Sequence, residues 1–123
     1  MVNIKRIYED PSDKDTVRYL VDRLWPRGIS KDAANLEEWL KDIAPSDDLR
    51  KWYGHKENRW GEFRRRYKLE LRTEEKQKIL NDLAKKARRK TVILLFAAKD
   101  IERNNAAVLQ EVLQSKLNSM EKE

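Results

Sequence analysis

The chain of 123 residues contains no cysteine, one histidine, three glycines and three prolines. The absence of cysteine excludes a disulfide scaffold, a thiolate zinc or iron–sulfur site and a cysteine nucleophile. One histidine excludes a poly-histidine metal site, and a Ser-His-Asp triad would require His55 as its base. Neither Gly-x-Gly-x-x-Gly nor a Walker-type loop occurs, so no glycine-rich phosphate cradle can be read. The longest apolar run, Val92 to Ala98, covers seven residues, where a bilayer span needs about 20. The first ten residues lack the apolar stretch of a signal peptide, and the expected location is the cytoplasm.

What is present suits a folded core. Charged residues make up 41% of the chain and the apolar set 39%. The four Trp, four Tyr and two Phe, with Leu/Ile/Val runs, set it apart from a disordered polyelectrolyte. The length predicts one domain, residues 1–117, with a polar tail over 118–123.

The net charge of +6 is unevenly spread. Residues 64–90 carry twelve Lys/Arg against four Asp/Glu, a local +8, while the rest of the chain is close to balance. This stretch opens with Arg64-Arg65-Arg66 and closes with Lys85-Lys86-Ala87-Arg88-Arg89-Lys90. Such a field attracts phosphate or an acidic partner. It also serves the ordinary purpose of solvating the outer faces of two helices, and a helix fans three consecutive arginines over roughly 200°.

Alternation over Asn3–Tyr8 predicts a first strand, ended by a turn at Pro11-Ser12-Asp13. Val17–Val21 predicts a second, running into Trp25-Pro26-Arg27-Gly28. Ser30 caps a short helical turn over 31–35. Residues 36–43 fit a helix through Leu36, Trp39, Leu40 and Ile43, or a strand around Glu38–Asp42. Ser46 caps a helix that Gly54 ends. Trp60, Phe63, Tyr67 and Leu71 line the inner face of the next helix. Thr73 caps another, with Ile79, Leu80, Leu83, Ala84 and Ala87 inward. Thr91–Ala98, apolar throughout its length after Thr91, predicts a central strand covered on both faces. Asp100 or Asn104 starts the last helix. The expected fold is α/β, a small open mostly parallel sheet of about four strands flanked by helices.

Ligands of open parallel sheets bind beyond the carboxyl ends of the strands. Asp22-Arg23-Leu24-Trp25-Pro26-Arg27 follows the second strand, and Lys99-Asp100 with Arg103-Asn104-Asn105 follows the last. Arginine suits bidentate recognition of phosphate or carboxylate. In this reading Arg23, Trp25, Arg27, Lys99, Asn104 and Asn105 bind an anion, and Asp22, Asp100 or His55 supplies acid–base chemistry. Each also has an ordinary role: Asp22 and Arg23 as a pair, Asn104 as a helix cap, Trp25 in packing, His55 at a helix end.

Lys5-Arg-Ile-Tyr8, Val21-Asp-Arg-Leu-Trp-Pro-Arg-Gly28, Trp39-Leu-Lys-Asp-Ile-Ala-Pro-Ser46, Leu49-Arg-Lys-Trp-Tyr-Gly-His55 and Ala97-Ala-Lys-Asp100 with Asn104-Asn-Ala106 occur in that order. Together they resemble the YeaO-like branch of the domain-of-unknown-function 488 family, over about residues 3–113. The resemblance implies a small cytoplasmic prokaryotic α/β protein and carries over no catalytic residue or substrate. The broader family tends to place a cysteine motif where this chain has Asn104-Asn105, so thiol chemistry does not transfer. A methyltransferase label attached to some such proteins finds no glycine-rich cofactor loop here.

The leading expectation is thus a small enzyme or binding protein for an anionic small molecule, a nucleotide or phosphorylated metabolite, without cofactor, metal or membrane. The alternative is a nucleic-acid-binding module using Arg64, Arg65, Arg88 and Arg89, with steep salt dependence and little sequence preference.

Overall fold

The computed structural model describes residues 1–9 and 15–122. The turn expected at Pro11-Ser12-Asp13 lies outside these residues. Four strands, β1 (Val2–Arg6), β2 (Thr16–Leu20), β3 (Glu38–Trp39) and β4 (Thr91–Phe96), form one sheet in the order β1-β4-β2-β3. All pairings are parallel. The helices are α1 (Lys31–Ala34), α2 (Asp47–Tyr53), α3 (Trp60–Glu70), α4 (Glu74–Ala87) and α5 (Asn105–Glu121). The α/β fold with an open parallel sheet is the one the sequence led us to expect.

The central place of β4 explains its composition. Val92 to Phe96 are all at most 2% exposed, with β1 on one side and β2 on the other. Alternate residues serve the two faces. Val92, Leu94 and Phe96 join Val17 and Tyr19 against the helices, whereas Ile93 and Leu95 join Leu20 and Ala34 on the opposite face. Full burial of such a side chain stabilises by about 1.5–3 kcal/mol. The second face is covered thinly, by α1 and by Trp25, Ile29 and Leu36 around it. Arg18 lies there almost buried, its guanidinium donating to the Ala34 carbonyl.

Within 36–43 the strand alternative is the one found, in shortened form. Strand pairing covers only Glu38–Trp39, and Lys41–Ile43 forms a 3-10 turn. The helical spacing of Leu36, Trp39, Leu40 and Ile43 is split between the two sides of the sheet: Leu36 and Trp39 pack with Leu20, Leu40 and Ile43 with the helices. Backbone pairing decides it, since Glu37 N donates to Arg18 O and Leu40 N to Leu20 O. Residues 118–121, expected as tail, continue α5.

Helix boundaries follow local chemistry. Ser30, Ser46, Thr73 and Asn104 each accept a bond from a backbone N–H in the first turn that follows. Gly54 ends α2 at φ +51°, a left-handed conformation that favours glycine. The cap of α2 is also tied to α3, because Ser46 N and Oγ both donate to the Glu70 carboxylate.

Candidate functional site

The two strand-end loops lie on the same edge of the sheet, as parallel neighbours require. They do more than approach each other. Asp22 Oδ2 accepts from Ala97 N at 2.9 Å, and Oδ1 accepts from Asn105 Nδ2 at 3.0 Å. The same Asn105 nitrogen donates to Val21 O at 2.8 Å. From β1, which the sequence did not single out here, the Arg6 guanidinium donates to the carbonyls of Ala97 and Ala98. Strand β4 therefore ends at Phe96, two residues earlier than expected, because the next backbone groups bond to side chains. Arg6, Asp22 and Asn105 clasp this edge. Burial pushes the Asp22 carboxyl above its ordinary value, opposed by its bonds from Ala97 and Asn105 and by the charge of His55.

The other expected site residues are placed as follows. Arg23 Nε donates to Pro45 O, and Trp25 Nε1 to Ile29 O, both at 2.7 Å. Trp25 packs edge-on against Trp39, with ring centroids 5.4 Å apart. Asn104 is almost buried, capping α5 through Ala107 N and donating to Asp100 O. Asp100 accepts from the backbone of Glu102 and Arg103, and these bonds hold its carboxyl below the usual range. His55 is exposed, at φ +58°, with its ring 6.0 Å from that of Tyr53. Arg27 and Lys99 are exposed and have no ion-pair partner among the described residues. Most of the polar side chains at this edge are thus engaged in bonds within the fold. Tyr53 and Arg103 also reach it, the hydroxyl donating to the Arg103 carbonyl at 3.2 Å. Neither was legible as a neighbour, because their proximity depends on how α2 packs.

The basic stretch divides in two. Arg64 and Lys68 pair with Glu111 of α5, and Arg65 and Arg66 pair with Glu62. The closing cations are different. Lys85, Lys86, Arg88, Arg89 and Lys90 line an open cleft of about 900 Å³ between the end of α4 and Val17 at the start of β2. None of the five has an ion-pair partner among the described residues. Lys86 lies over the Tyr19 ring, 5.8 Å from its centroid, and Tyr19 raises its pKa. The cleft continues in both directions. It shares Arg88, Arg89 and Lys90 with a cavity of about 500 Å³ that reaches Asp15 and Thr91 at the strand starts. It shares Asp82 and Lys86 with a pocket of about 270 Å³ that reaches Trp39. A basic groove therefore runs past the end of α4, from the strand starts toward Trp39, whose Nε1 donates to Asp22 O. Lys85, Lys86 and Lys90 were readable as part of a charged run, but their separation from Arg64 and Arg65 depends on partners distant in sequence.

Among the described residues no cluster of His, Asp or Glu could hold a metal ion, and no helix is long and apolar enough to cross a membrane. The family model described as the inactive DUF488-N3 subclade matches residues 1–123. The uncharacterized protein Rv3073c of Mycobacterium tuberculosis (strain ATCC 25618 / H37Rv) is 42% identical over 112 residues, covering 91% of this chain and 92% of its own. The uncharacterized protein YeaO of Escherichia coli (strain K12) is 42% identical over 115 residues, covering 93% and 97%. No solved structure matches. With its whole length matched and its sequence motifs in order, the chain belongs to the inactive DUF488-N3 subclade of the domain-of-unknown-function 488 family.

Proposed function

We propose that the protein is a non-catalytic binding protein for the phosphate backbone of nucleic acid. The observation that carries this reading is the groove at the end of α4, where five cations without ion-pair partners outnumber the two acids, Glu37 and Asp82, that line the same cleft. Two cations in the last turn of a helix suffice to complement its dipole. Five around a cleft of about 900 Å³ exceed that need and form the charged track that a polyanion follows. Of the residues expected to supply acid–base chemistry, Asp22 and Asp100 are engaged in hydrogen bonds within the fold, as are Asn104 and Asn105. That agrees with the description of the subclade as inactive. The binding residues in this reading are Arg88 and Arg89 with Lys85, Lys86 and Lys90, while Arg64 and Arg65 are each held in an ion pair with a glutamate.

The test is fluorescence anisotropy with a labelled single-stranded oligonucleotide. Arg88→Glu/Arg89→Glu is expected to weaken binding at least tenfold and to lower the salt slope by about 1.4 or more, at about 0.7 per phosphate contact. Arg88→Gln/Arg89→Gln, which spares the helix dipole a reversed charge, should show a smaller loss of the same kind. Equal loss in Arg64→Glu/Arg65→Glu, or no binding by the wild type, overturns the reading. The exposed Arg27, Lys99 and His55 favour a second reading, a small anion such as a nucleotide or phosphorylated metabolite at the clasped edge. A titration sensitive to Arg27→Ala and indifferent to the α4 substitutions would select it.

A further inference from the structure

We propose that the pocket at the Trp39 end of the groove receives one base of a single strand and favours bases that carry an exocyclic amino group. This rests on the reading of the groove as a phosphate track. The pocket measures about 270 Å³ and borders the cleft, with Asp82 and Lys86 lining both. A nucleotide whose phosphate lies on Lys86 and its neighbours therefore has a recess within reach for its ring.

The lining fits a flat heterocycle. Leu40, Ile79 and Leu83 supply aliphatic wall, and Tyr19 and Trp39 border it beneath Lys86 and Lys41. The volume lies just below the range of drug-sized sites and suits one ring system. Base–aromatic contact is the usual partner of a basic groove in single-strand binding. Lys41 lies over Trp39, 5.3 Å from its centroid, and brings a further cation to the rim.

The polar lining sets the preference. Glu38, Asp42 and Asp82 are exposed carboxylates at the pocket. A carboxylate accepts hydrogen bonds and cannot donate. It accepts from the amino group of cytosine, and equally from those of adenine or guanine. Thymine and uracil turn a carbonyl oxygen toward the same position, and two acceptors repel. In a duplex each base is stacked between its neighbours and cannot enter the recess, so an unpaired base is required. Three acids beside a phosphate track oppose a polyanion by charge alone, and base recognition gives them a use.

The experiment compares deoxycytidine and thymidine oligomers of equal length, about ten nucleotides each, by anisotropy at one salt concentration. The carboxylate contacts predict about tenfold tighter binding of the deoxycytidine oligomer. Glu38→Gln/Asp42→Asn/Asp82→Asn changes only exposed side chains, so the fold is retained. It should bring the two oligomers within about twofold of each other, while binding of the thymidine oligomer stays equal or tightens. Equal affinity of the wild type for both oligomers, or a preference that survives the triple substitution, overturns the base pocket and leaves the groove standing. Failure of both oligomers to bind overturns the groove and the pocket together.

Discussion

Asn105→Ala tests the clasp that joins β2, β4 and α5. The side-chain nitrogen makes two bonds, at 2.8 Å to Val21 O and at 3.0 Å to the Asp22 carboxylate. A bond to a neutral carbonyl contributes about 0.5–1.5 kcal/mol and one to a charged group about 1.5–3 kcal/mol. Their joint loss should cost about 2–4 kcal/mol. With a urea slope of about 2 kcal/mol per molar, that lowers the unfolding midpoint by about 1–2 M and leaves the slope unchanged. The cost depends on pH with a definite sign. Burial raises the Asp22 carboxyl in the native state, so that state binds the proton more tightly than the unfolded chain does. Stability from this group is greatest below its unfolded pKa and declines as pH rises through the native value. Asn105 opposes the shift, so its removal widens it. The variant should therefore be penalised more at pH 7 than at pH 4. A loss under about 0.5 kcal/mol, or a penalty larger at pH 4, would refute the description of Asp22 as a half-buried carboxylate that clasps the two strands.

Two further substitutions probe packing and surface charge. Tyr67 is fully buried and donates to Ile43 O at 2.5 Å. Tyr67→Phe leaves that carbonyl without its partner and should cost about 1–2 kcal/mol, read as a fall in thermal midpoint of roughly 3–8 °C. Asp47 is held down to about 2 by bonds from Arg50 and Lys51. Its side-chain carbonyl resonance should titrate near that value, and Arg50→Gln/Lys51→Gln should move it up toward the ordinary carboxylate range. The stability that this pairing contributes is present at neutral pH and lost as pH falls through the native value.

Local signals were the most legible part of the sequence. Ser30, Ser46 and Thr73 cap helices because a hydroxyl can accept from the first turn, a property that needs no knowledge of distant residues. Strand β4 was readable because a central strand must be apolar on both sides. The meeting of the loops after β2 and β4 followed from parallel pairing, though the bonds among Asp22, Ala97 and Asn105 did not. Those bonds depend on the register of neighbours more than seventy residues apart. The segment 36–43 could be read as helix or strand because one apolar pattern feeds two faces of the sheet. The basic groove was visible only as charge. What separates Arg88 from Arg64 is Glu111, a residue on another helix that pairs with Arg64 and leaves Arg88 without an ion-pair partner among the described residues.

The central claim is the location of the phosphate track. Backbone amide shifts followed during titration of the protein with a single-stranded oligonucleotide test it most directly. The groove predicts perturbations concentrated at residues 85–91 and 38–42, fading as salt is raised. Shifts concentrated at residues 22–28 and 99–105, or at 64–66, would contradict it.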